Sequence, residues 1–189
     1  MNPQATKKFE SREQLMQSMR TERNLADADL SGLNLAGIKL AGLNLKGADL
    51  HDSDLTNAKL AGLDLREANL TNARLDNARM AGINLQGANL RGAHLSAVKM
   101  AGVDLKDGDF TGADLSQSRL VGVDVRGADF SAVDTTGARA AADWSAAKVQ
   151  PAQLPESLPT PPPWLPLLLV GVVALVIFFV MRRRAQRTA

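Results

Sequence analysis

The chain has 189 residues, with 22 lysines and arginines against 20 acidic residues and no cysteine. The lack of thiols excludes a disulfide framework and thiolate metal sites. A net charge of +2 excludes a wholesale polyanion binder.

Residues 1–24 are polar and hold no apolar run of signal-peptide length, so no secretory signal is expected. Within them Ser11-Arg12-Glu13-Gln14 has the spacing of a capping box ahead of Leu15, Met16 and Met19. The segment is read as a short amphipathic helix that caps the region starting at Leu25.

From Leu25 to Phe130 every fifth residue is bulky and apolar, through Leu45, Leu65, Met80, Leu95, Met100 and Phe110. Neither a helix (period 3.6) nor a flat strand (period 2) keeps such a column on one face. A period held this long implies a solenoid. The residue two before each centre is mostly small, as at Ala48, Ala58, Ala68, Ala78 and Ala88, but every twentieth residue it is large: Leu43, Leu63, Ile83, Val103 and Val123. Residue n therefore packs on residue n+20, and each coil has four sides. The centre and the residue two before it point inward, and the other three face solvent. Gly at the fifth place, as at Gly47, Gly87 and Gly127, suits a tight corner. Asn or Asp just before the centre can bond nearby backbone at that corner.

Units such as Ala48-Asp49-Leu50-His51-Asp52, Ala88-Asn89-Leu90-Arg91-Gly92 and Ala113-Asp114-Leu115-Ser116-Gln117 resemble the pentapeptide-repeat family. The resemblance covers residues 25 to about 140. It implies an all-β fold, a right-handed quadrilateral parallel β-helix filled by a Leu/Phe column. It does not imply one activity. The centres Thr135, Ala140 and Ser145 break the column, so the solenoid is expected to fray or be capped there, giving a β-helix over 25–145.

Residues 146–163 are rich in proline and read as a stiff linker. Trp164 to Met181 is uncharged over eighteen residues, about 27 Å as a helix, and reads as a single transmembrane helix over 164–181. Trp164 suits an interfacial anchor, and Arg182, Arg183 and Arg184 begin a basic tail over 182–189. The arginines favour a cytoplasmic C-terminus, whereas the missing signal favours a tail anchor with the solenoid in the cytoplasm. The second reading is adopted because a folded rod is a poor substrate for translocation.

Catalysis needs convergent titratable groups in a cleft, and a filled solenoid offers ladders. His51 and His94 occupy outward positions on different sides, so no catalytic residue, metal ligand or cofactor is expected and the chain is read as non-enzymatic. The outward ladders carry the remaining information. Lys39, Lys59, Arg79, Lys99, Arg119 and Arg139 form one row, and Lys46, Arg66, Gln86, Lys106 and Arg126 a second on the next side. Acidic rows run through Asp29, Asp49, Asp109 and Asp129, and through Asp54, Asp114 and Asp134. Stacked cations repel by ~1 kcal/mol per neighbouring pair in water before screening. The two basic rows are therefore a solvated face or a candidate anion-binding stripe for lipid headgroups or an acidic protein.

The favoured function is a membrane-anchored scaffold for protein–protein or membrane-surface interaction, with the lipid bilayer and an unidentified protein as partners. The resemblance also implies an alternative, since some family members mimic duplex DNA and protect type II topoisomerases. That role needs a strongly negative rod, whereas residues 25–145 hold sixteen acidic against twelve basic side chains. Nucleic-acid binding is disfavoured because no aromatic residues interleave the basic rows. Homo-oligomerisation, for example rods pairing end to end, is left open by the pattern.

Overall fold

The structure is a computed structural model that describes residues 7–157. Six three-residue strands, β1 (Lys39–Ala41), β2 (Lys59–Ala61), β3 (Arg79–Ala81), β4 (Lys99–Ala101), β5 (Arg119–Val121) and β6 (Arg139–Ala141), stack in parallel. Their register pairs Lys59 with Arg79 and Leu60 with Met80, a step of twenty residues. Single parallel bridges mark the other three sides with the same step, as Asn44 to Asp64, Asp49 to Asn69 and Asp54 to Arg74. Each coil is thus four-sided, and the outward–inward–outward pattern of every strand puts the centre inside.

The corners explain the five-residue beat. At three of the four, the centre carbonyl accepts from the N–H three residues on: Leu45 from Ala48 at 3.0 Å, Leu50 from Ser53 at 3.2 Å, Leu55 from Ala58 at 3.0 Å. That bond closes a β-turn whose third residue takes positive φ, as at Gly47 (67°) and Asn57 (58°). No such bond closes the fourth corner, after Leu40, Leu60 and Met80, among the described residues. There the following inward position is taken by Leu43, Leu63 and Ile83, all buried, where the other corners mostly place Ala. The twenty-residue beat is the signature of this wider corner.

Ala97 sits at a tight corner with φ 53°. An L-residue there costs ~1–2 kcal/mol, while glycine adds ~0.4–1 kcal/mol of unfolded-state entropy. Ala97→Gly is expected to stabilise the fold by about 0.5–1 kcal/mol in urea melts. An unchanged or lower midpoint would contradict the corner geometry.

Both ends of the column are covered. At the N-terminal end, helix α1 (Arg12–Ser18) is capped by the Ser11 hydroxyl, which accepts from the Gln14 N–H at 3.2 Å. Leu15 is buried and Met19 half-buried, but Met16 is 46% exposed. The helix is only seven residues long, and its buried stripe is narrower than the sequence suggests. Phe9 replaces Met16 in sealing the end. Its N–H donates to the Asp29 carbonyl at 3.0 Å, laying residues 7–9 beside the first coil.

At the other end, where the column is expected to fray or be capped, residues on both sides of 145 lie against the last coil. Thr135 and Ala140 stay buried in the column, and Phe130 stacks on Phe110 with ring centroids 4.9 Å apart. A 3-10 helix, Trp144–Ala146, brings Trp144 edge-on to Phe130 at 5.0 Å. Val149 bridges to Asp129, and β7 (Glu156–Ser157) pairs with β6. The first part of the expected linker, 146–157, therefore runs along the last coil. Trp144 covers Phe130 there, and Pro151 is buried as well. Proline has no N–H to strand there.

The expected anchor over 164–181 with Trp164, and the tail with Arg182, Arg183 and Arg184, lie outside the described residues. Among the described residues no helix is long and apolar enough to cross a membrane.

Candidate interaction surface

Among the described residues the inside of the rod is filled by apolar side chains. The void lined by Leu50, Leu70 and Leu90 holds about 10 Å³, one water probe at most. Among the described residues no three His, Asp or Glu side chains are placed to share a metal. His51 Nδ1 lies 2.8 Å from Asp49, which raises the imidazole pKa, while His94 stands in a different row between Arg74 and Asp114.

The outside is organised by strand position. On the β1–β6 side the residue before each centre is Lys39, Lys59, Arg79, Lys99, Arg119 and Arg139, brought into register by the strand pairing. The residue after each centre is Ala41, Ala61, Ala81, Ala101, Val121 and Ala141. Strands β1–β6 hold no carboxylate at either outward position, and Glu156 of β7 lies in register with Arg139. Among the described residues only Arg139 of the six cations pairs with an acid, Glu156 at 3.3 Å. Between the rungs lies a shallow groove of about 330 Å³ lined by Lys39, Ala41, Lys59, Ala61, Arg79 and Ala81.

The second basic row behaves differently. Arg66 and Arg126 each hold a carboxylate with two nitrogens, Asp64 at 2.9 and 2.6 Å and Asp124 at the same distances. Lys106 lies 2.9 Å from Asp104 and 3.4 Å from Asp124, and Lys46 lies 3.1 Å from Glu67. Lys46, Arg66, Lys106 and Arg126 are therefore neutralised in place, and the stripe of nine expected from sequence divides. Among the described residues, five of its cations remain without an acidic partner: Lys39, Lys59, Arg79, Lys99 and Arg119.

Two sequence models of one family match this pattern: a pentapeptide repeat region over residues 48–130 and pentapeptide repeats (8 copies) over 24–62. The chain belongs to the pentapeptide-repeat family. Among solved structures it is similar to a pentapeptide repeat protein of the cyanobacterium Cyanothece 51142, at 22% identity and TM-score 0.45, covering 67% of this chain and 92% of that one. It is also similar to a trypsin-treated form of QnrB1, a plasmid-mediated fluoroquinolone resistance protein, at 27% identity and TM-score 0.44, covering 65% of each chain. A pentapeptide repeat protein of the Arabidopsis thaliana thylakoid lumen matches at 26% identity and TM-score 0.37, over 53% of this chain and 67% of that one. No match was found among curated protein sequences.

The Asp residues of this pentapeptide-repeat protein serve its corners first. Asp54 accepts the Thr56 N–H at 2.9 Å, Asp129 the Ser131 N–H at 3.0 Å and hydroxyl at 2.5 Å, and Asp134 the Thr136 N–H at 2.8 Å. These bonds hold the three carboxyls below their ordinary value, and the Arg66 fork does the same for Asp64. A carboxyl depressed in the fold contributes stability above its unfolded value, near 3.9, and loses it as pH falls through the folded value. Denaturant melts should be steady from about pH 6 to about pH 5 and weaken progressively below about pH 4. A midpoint unchanged down to about pH 2.5 would contradict the corner bonds.

Proposed function

We propose that this protein is a membrane-tethered, non-catalytic rod that presents its β1–β6 side to an anionic partner. The observation that carries the reading is the division of the two basic rows. Every cation of the second row finds a carboxylate within the rod, whereas Lys39, Lys59, Arg79, Lys99 and Arg119 find none among the described residues. A row of like charges held in register costs repulsion that the fold itself does not offset. An external anion removes that cost.

The tether rests on the uncharged run Trp164 to Met181 and the arginines after it. In the tail-anchor orientation the solenoid lies on the cytoplasmic side, where the negatively charged leaflet is found. Full-length protein should sediment with membranes and resist alkaline carbonate, and a chain ending at Ser157 should not. Full-length protein that leaves the membrane in carbonate would remove the tether. Intact cells treated with protease should keep the solenoid whole, and its digestion from outside would reverse the orientation.

A further inference from the structure

We propose that the β1–β6 side docks flat on an anionic lipid leaflet, with Lys39, Lys59, Arg79, Lys99 and Arg119 among the headgroups. The inference deepens the tethered-rod reading and rests on it for proximity to the bilayer.

Three observations select a leaflet over other anions. First, this is the one continuous sheet among the described residues, and beside the cations of β1–β5 it bears only alanine, one valine and then the corner glycines Gly42, Gly62, Gly82, Gly102 and Gly122, while Glu156 of β7 lies at its end against Arg139. Along β1–β5 no outward strand residue beside the cations is larger than Val121. Second, the five cations extend over four steps of ~4.8 Å, about 19 Å in all. One headgroup cannot neutralise such a row, and a folded acidic protein would have to repeat its carboxylates at that pitch. A fluid leaflet supplies anions at any register. Bases of a single strand would need aromatic side chains to stack on, and the exposed large apolar residues are Met16, Val121, Val149 and Leu154. Third, only six residues, 158–163, separate Ser157 from Trp164. Seven residue steps reach ~25 Å at most. The rod is thereby confined near the leaflet at an effective concentration on the order of millimolar.

The absence of cysteine makes a direct test available. Full-length protein carrying one fluorophore, at Ala81→Cys on the sheet or at Thr71→Cys on another side, is reconstituted into phosphatidylcholine vesicles with or without about 30% phosphatidylserine. A headgroup-attached quencher reports contact. Quenching of the label at position 81, and not at 71, is expected in the anionic vesicles alone, with reversal at about 0.5 M salt. Each engaged cation is worth roughly fivefold in the docked-to-free ratio, so K59Q/R79Q/K99Q/R119Q should lower it by about a hundredfold or more. Circular dichroism confirms that the variant keeps its β-rich spectrum.

Protein that floats with neutral vesicles, but whose label at 81 ignores lipid charge, overturns the docking and leaves the tether standing. Protein that docks on anionic vesicles yet fails to float with neutral ones refutes the tether alone. Docking that survives the four substitutions overturns the assignment of the face. Self-quenching between labels at 81 in detergent would do the same, since the face would then be covered by a second copy.

Discussion

Leu85→Asp should abolish the cooperative unfolding transition of the rod. Leu85 is fully buried at the centre of its unit, midway along the stack. Its side chain meets only the apolar column, so a carboxylate there has no cation or donor to pair with. Leu85→Ala is the milder probe. It should cost ~2–5 kcal/mol through the lost transfer energy and the cavity left behind. For a chain of this size that lowers the thermal midpoint by on the order of 5–15 °C. Each coil of a solenoid is held by its neighbours, so a central defect weakens both halves instead of remaining local. Gln86→Ala, one residue away and exposed, should change stability by less than about 0.5 kcal/mol. A melt of Leu85→Asp that overlays the parent would remove residue 85 from the interior and end the five-residue account.

Phe130→Ala should open the C-terminal end. Its ring is stacked on Phe110 at an interplanar angle of 14° and meets Trp144 edge-on at 72°. Truncating a buried Phe costs ~3–5 kcal/mol, and each lost aromatic pair adds ~0.5–1.5 kcal/mol. The loss falls where the column has already thinned to Thr135 and Ala140. Hydrogen exchange should therefore accelerate first over residues 129–157, while coils around Leu65 keep their protection. Uniform acceleration along the rod would contradict an end seal, and unchanged exchange would show that Trp144 does not rest on Phe130.

The coil geometry decides which features were legible in the sequence. The inward column and the twenty-residue step could be read there because every rung repeats the same backbone. Leu63 and Ile83 mark the fourth corner without any knowledge of its hydrogen bonds. The ends were less legible because they are not periodic. Phe9 sits outside the beat, and Met16 has the spacing of a core residue but faces solvent. Prolines usually signal a linker, yet Pro151 is buried.

The pairing of Arg66, Lys106 and Arg126 in the second basic row is also encoded locally, although grouping the cations by row alone obscures it. In Asp64-Leu65-Arg66 and Asp124-Val125-Arg126, acid and base flank an inward centre, and residues two apart on extended chain share a side. On the β1–β6 side the corresponding triplet is Lys59-Leu60-Ala61, with no acid to answer the cation. That local difference, not the total charge, separates a neutralised row from an available one.

The stacked cation ladder is tested most directly by disulfide trapping. Lys59 and Arg79 are register partners in β2 and β3. In-register neighbours lie ~4.8 Å apart, inside the Cα separation that a disulfide accepts. In a chain without native cysteine, K59C/R79C should oxidise rapidly and within one molecule, as mass spectrometry of the digested chain would show. K59C/R74C, fifteen residues apart, should not, because Arg74 belongs to another side of the coil. Cross-linking of 59 to 74 in preference to 79 would contradict the four-sided coil and the cationic face built on it.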